Sequence, residues 1–297
     1  MRPLRRRTTD AAAATASSVA PTLRRLAVLL EAGVAPDLAW QHLAAAGDAA
    51  AVGVCAGRTS GSDLVDAIGA SGGAWRDAAA AWQVAAVVGA PLARTLRSIA
   101  AALSEAEQTR DDVRVALAEP AATARLVSWL PLVAVVLALV LGFDIVATLT
   151  HPIGAVCLAA GAFLMAAAHV WTRRLVARAQ PDATVAGLTS EMLAIALSGG
   201  VSIARAEQVL ASVDTEPTPA DREVLELSRT AGAPAVELLR ATADLERHRA
   251  RVDGRLRAAR LSSRLLLPLG VCTLTAFLLI GVAPMLLSVL ASTPVTL

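Results

Sequence analysis

Apolar positions recur at helical spacing along most of the chain, and the interruptions fall at glycine. Leu23, Leu26, Ala27 and Leu30 share one face of a helix, with Arg24 and Arg25 opposite. Gly33 follows, the residue best suited to the left-handed position that ends a helix. A second helix restarts at Pro36 or Asp37 and runs to about Ala46. Residues 47–61, rich in Gly and Ala, read as a loop. Ser62 is a candidate N-cap for a short helix to Ile68. Trp75 to Val88 forms a fourth helix, stopped by Gly89. Pro91 suits the first turn of a long fifth helix over about 91–118, whose apolar stripe is Leu92, Leu96, Ile99 and Leu103.

The pattern then repeats. Leu188, Met192, Ile195 and Ala196 form a stripe that breaks at Gly199-Gly200, and Ser202 caps a helix through about Val209. A polar, proline-rich connector at 214–219 replaces the loop and short third helix of the first copy. Asp221 to Thr230 is helical, Gly232 stops it, and Pro234 opens the last long helix. Gly89-Ala90-Pro91 and Gly232-Ala233-Pro234 thus hold the same place in two copies of one helical unit. Gly33, Gly89, Pro91, Gly200, Gly232 and Pro234 are the candidate breaks or hinges. Plain C-capping accounts for the glycines equally well.

Each copy leads into an apolar span. The first covers 126–149, of which Val127 to Leu149 is about 23 residues or roughly 34 Å of helix, enough for a hydrocarbon core of about 30 Å. After Thr150-His151-Pro152 a second span runs over 153–171, and a third over 265–290. Arginines flank the spans on one side only: Arg125 before the first, Arg173, Arg174 and Arg178 after the second, and a dense series from Arg247 to Arg264 before the third. The positive-inside rule puts both helical segments in the cytoplasm and the C-terminus outside. The resulting layout is a basic N-terminal tail over 1–20, a helical domain over 21–125, a transmembrane hairpin over 126–172, a second helical domain over 173–263, a span within 264–291 and an extracytoplasmic tail over 292–297. The fold class is all-α, with two tandem cytoplasmic helical bundles and three transmembrane helices. Asp144 sits inside the first span, where a carboxylate either reaches the outer headgroups or is a candidate contact for a membrane partner.

Composition agrees with this layout. The 297 residues are 56% hydrophobic and 18% charged, with a mean hydropathy of +0.58. All 27 basic residues are arginine, and the net charge is +2, which gives no bulk electrostatic case for a nucleic-acid partner. Cys55, Cys157 and Cys272 have no metal or redox spacing. Without lysine there is no phosphate loop of the Walker type. His42, His151, His169 and His248 are scattered, with no metal-ligand neighbours. The sequence predicts no catalytic residue, cofactor or metal site.

The stretch Leu26-Ala27-Val28-Leu29-Leu30-Glu31-Ala32-Gly33-Val34, the Gly-Ala-Pro-x-x-x-x-Leu pattern at 89–96 and 232–239, and the order of spans resemble the type II secretion F family. Its members are inner-membrane platform proteins of type II secretion and type IV pilus machines. The arginine-only, alanine-rich composition looks like the Flp or tight-adherence branch. The resemblance implies six-helix cytoplasmic domains and no catalytic residues. Its implied partners are a cytoplasmic secretion ATPase, pilin or pseudopilin subunits, membrane lipid and a possible homodimer partner. Many tight-adherence members carry one such domain; this chain has two, the second shortened at 212–220. A small membrane transporter subunit is the alternative, resting on Asp144 and the prolines of the third span. A membrane enzyme would need a paired nucleophile or metal set within the spans, and none is found.

Overall fold

The computed structural model describes residues 19–140, 152–179 and 185–282. These residues are helical, and among them there is no strand. The chain divides into two compact units, Met1–Thr109 with Asp182–Arg251, and Arg110–Pro181 with Val252–Leu297.

In the first unit, α1 (Val19–Glu31), α2 (Pro36–Ala45), α3 (Ala49–Thr59), α4 (Leu64–Gly69) and α5 (Ala74–Val88) precede the start of the long α6 (Leu92–Val140). From its second stretch come α8 (Leu188–Ser198), α9 (Ile203–Ala211), α10 (Pro219–Ala231) and the first turns of α11 (Ala235–Leu267). Buried residues of both stretches form one cluster, from Leu23, Leu26 and Trp40 through Leu96 and Ile99 to Leu193, Leu210 and Leu239. Trp40 stands at its centre, 6.2 Å from the Trp75 ring and 6.4 Å from the Trp82 ring, both tilted. Tilted aromatic pairs of this kind add about 0.5–1.5 kcal/mol each beyond their buried area. The two stretches also touch at Gly199, where a Cβ would lie 2.5 Å from the Val88 carbonyl oxygen. Only glycine lets the end of α8 come this close to the end of α5.

Two expectations are corrected by local chemistry. Residues 47–61 are mostly helix, not loop. Asp48 caps α3, accepting from the Ala50 and Ala51 amides at 3.1 Å, and Thr22 donates to its other oxygen at 2.6 Å. This cap offsets the weak helix propensity of Gly53 and Gly57. Gly57 is useful there: a Cβ would sit 3.0 Å from Ala67 Cβ, so α3 packs closely on α4. Asp63, not Ser62, occupies the N-cap of α4, without a side-chain cap bond. The Ser202 cap of α9 is present, accepting from the Arg205 amide at 3.3 Å. Helix α10 starts at Pro219, two residues before the expected Asp221, under a full capping box between Thr218 and Asp221.

The second unit holds the continuation of α6, α7 (Pro152–Ala179) and the end of α11. Beyond α11 lie a π-helical turn at Pro268–Thr273, α12 (Leu274–Phe277) and a second π-helical turn at Leu278–Val282. The fifth helix of the sequence reading and the start of its first span are one helix, continuing past Pro120 and Pro131. Within α7, Gly154–Leu175 is the one helix among the described residues long and apolar enough to cross a membrane, with a mean hydropathy of 1.7 and 17% of its apolar window buried. Its 22 residues correspond to roughly 33 Å. Phe163 and Val156 on α7, and Val133, Val136 and Val140 on α6, are exposed apolar side chains. Gly161 lies against Ile280, with no room for a Cβ.

Candidate functional site

The six candidate break residues all sit at helix boundaries in the first unit. Gly33 ends α1 with φ +84°; its amide donates to Leu30 O and the Val34 amide to Leu29 O, the paired bonds of a Schellman cap. Gly89, Gly200 and Gly232 have φ of +72°, +79° and +66°. Nothing lies within 4 Å of a Cβ added at any of these four, so backbone conformation and not space selects glycine there. Pro91 and Pro234 stand just outside their helices, which begin at Leu92 and Ala235; their carbonyls accept from the Thr95 and Leu238 amides at 3.1 and 3.3 Å. Asp144 lies outside the described residues.

Sequence reasoning missed a charged junction that α6, α8 and α11 build together in the first unit. Arg247 of α11 meets Glu105 of α6 at 3.2 Å and Glu191 of α8 at 3.8 Å, and also pairs with Asp244. Arg251 joins the same Glu105. Glu191 is only 4% exposed. An ion pair this buried is costly to break from one side, because the abandoned charge stays desolvated. Arg247 Nη1 is buried and donates no hydrogen bond, its nearest carboxylate being Glu191 at 3.8 Å. The helical spacing of Glu191 placed it among apolar neighbours, and that anomaly was the available signal.

Beside this junction opens a cleft of about 390 Å³ lined by Arg94, Arg97 and Ser98 of α6, Glu191 of α8, and Arg240, Asp244 and Arg247 of α11. Arg97 forks onto Glu31, and Arg240 lies 3.4 Å from Glu237. Arg94 has no ion pair among the described residues. Immediately before Arg247 on α11, burial holds the Glu246 carboxyl above the usual range, and the neighbouring Asp221 charge adds to this. The Gly187 amide, Arg249 and Arg247 oppose it. Asp221 itself is fully buried, accepting from the Ser190 hydroxyl and from the Thr218 amide at 2.8 Å. In the second unit, Arg255 of α11 bonds Asp112 of α6 at 2.9 Å, two positions 143 apart, the same interval that separates the Gly-Ala-Pro triplets.

Among the described residues, no group of three or more His, Cys, Asp or Glu could hold a metal ion. The arrangement offers ion pairing and helix orientation. No curated protein and no solved structure matches the chain. A family model does: that of type II secretion system (T2SS), protein F, over residues 22–141. The matched stretch runs from α1 through all of α5 and along α6 to the end of its described part. With the apolar α7, this match indicates membrane association. Residues 22–141 are thus the part of the chain that is similar to the family of type II secretion system protein F.

Proposed function

We propose that the protein is a non-catalytic inner-membrane platform of a type II secretion or Flp-like type IV pilus machine. It couples a cytoplasmic secretion ATPase to the assembly of pilin or pseudopilin subunits. The family match over 22–141 is the observation that carries this reading. The rest of the chain is consistent with it. Arginine placement favours three spans, at 126–149, 153–171 and 265–290, with the helical segments on the cytoplasmic side. The long α6 and α11 lead from the first unit towards those apolar segments, as a force-transmitting scaffold would need. Gly33, Gly89, Gly200 and Gly232, with Pro91 and Pro234, orient successive helices in this account. Asp144 is the polar contact offered to a membrane partner.

The test is co-purification of the full chain with a secretion ATPase from the same genome, followed by hydrolysis assays. The reading predicts a stable complex and faster ATP turnover by the ATPase. No complex and no change in turnover, with both proteins folded, would count against it. Replacing Asp144 with Asn should reduce piliation or secretion without lowering the amount of protein in the membrane.

A further inference from the structure

We infer that the second unit binds anionic phospholipid headgroups through Arg173 and Arg174 at the end of α7 and Arg260 and Arg264 at the end of α11. The inference rests on the topology proposed above, which brings both helix ends to the cytoplasmic surface of the membrane. Charge is divided unevenly between the two units. The second unit, 110–181 with 252–297, carries ten of the chain's 27 arginines against five acids, Asp111, Asp112, Glu119, Asp144 and Asp253. That leaves 17 arginines and 20 of the 25 acids to the first unit, so the second is positive by five and the first negative by three. Residues 145–181 and 254–297 contain no acid at all, and their seven arginines fall at 173–178 and 255–264.

The surplus survives the ion pairs that the structure makes. Arg255 takes Asp112 and Arg114 takes Asp111, each at 2.9 Å. Arg173, Arg174, Arg260 and Arg264 are exposed and make no ion pair among the described residues. On α11 the cations keep to one side: Arg257, Arg260 and Arg264 recur at helical spacing, while Gly254, Ala258 and Leu261 are buried on another face. What borders these arginines points to lipid. Beyond Arg264 the exposed side chains turn apolar, with Leu267, Val271 and Leu274. Ahead of Arg173 on α7 they are Phe163 and Trp171. An exposed tryptophan beside a basic pair, at the end of an apolar helix, marks the depth of the headgroups. At that depth a guanidinium meets phosphodiester oxygens with its parallel N–H donors. Each cation held near an anionic leaflet adds to the attraction. A soluble polyanion would gain nothing from the apolar border.

The test places the full chain in phosphatidylcholine bilayers with a trace of spin-labelled phosphatidylglycerol or, separately, spin-labelled phosphatidylcholine. Electron spin resonance reads the share of each label immobilised at the protein surface. At low salt the phosphatidylglycerol label should be enriched severalfold over the phosphatidylcholine label. That preference should collapse at about 1 M salt, where the screening length falls to about 3 Å. Replacing Arg173, Arg174, Arg260 and Arg264 together with Gln should remove most of it, whereas Arg229→Gln, in the first unit, should leave it intact. All four arginines are exposed, so the fourfold variant should keep the wild-type circular dichroism. Equal immobilisation of the two labels by the wild-type chain would overturn the inference. So would an undiminished preference in the folded fourfold variant. No ATPase takes part in this assay and topology is read separately from reporter fusions, so a failure here stands apart from a failure of the platform reading.

Discussion

Gly33 and Gly232 take φ of +84° and +66° with open space around them, whereas Gly199 has an ordinary backbone and no space at all. Substitution should separate these causes. Gly33→Ala or Gly232→Ala should cost roughly 1–2 kcal/mol, the penalty of the left-handed region for a residue with a Cβ. Gly199→Ala should cost at least as much, by forcing α8 away from the Val88 carbonyl, and a larger residue there should cost more. Thermal unfolding of the single variants checks the ranking. At Glu246 the folded carboxyl titrates above its ordinary value, so the folded state binds more protons than the unfolded one between that value and the raised one. This group's contribution therefore makes stability fall as pH rises through that window. Glu246→Gln keeps an acceptor for the Gly187 amide. It should raise the melting temperature at neutral pH, with the difference closing below about pH 4.5, the ordinary carboxyl value. The capping glycines were legible because their conformational need is local. The tight contact at Gly199 was not, since its partner Val88 lies far away in sequence.

Helix α3 shows how an element can hide from its own sequence. Periodicity is weak over 49–59, where Ala and Gly dominate and only Ala51 and Val54 are buried. What makes the helix is the Asp48 cap, fixed in turn by Thr22 of α1. Asp48→Ala should therefore destabilise by about 1–2 kcal/mol, measurable by denaturant unfolding, with the loss of helical signal confined to a fraction of the total. Thr22→Val should show part of the same effect. The strongly amphipathic elements were readable to within a few residues: α1, α5, α9 and α10 fall where stripe and stop signals put them. The long helices were divided too early. From the sequence the fifth helix ends near residue 118 and the first span begins at 126, yet α6 runs unbroken from Leu92 to Val140, through Pro120 and Pro131. The charged residues that follow the apolar stripe of α6 gain partners on α11: Glu105 with Arg247 and Arg251 in the first unit, and Asp112 with Arg255 in the second.

At the scale of the molecule, the sharing of one buried cluster by residues 19–106 and 185–239 was not legible in the sequence. Sequence periodicity reports which face of a helix is buried and is silent on what covers it. Leu193, Leu210 and Leu239 belong to the same core as Leu23, Trp40 and Ile99. A fragment ending before residue 182 should therefore be markedly less stable than the whole chain, and supplying residues 182–251 in trans should recover part of the loss by circular dichroism. The account as a whole rests on a scaffold anchored in the inner membrane with its helical segments facing the cytoplasm. Paired fluorescent-protein and alkaline-phosphatase fusions truncated after residues 151 and 220 test this most directly. The account predicts phosphatase activity only at 151 and fluorescence only at 220. Phosphatase activity at 220 would contradict it.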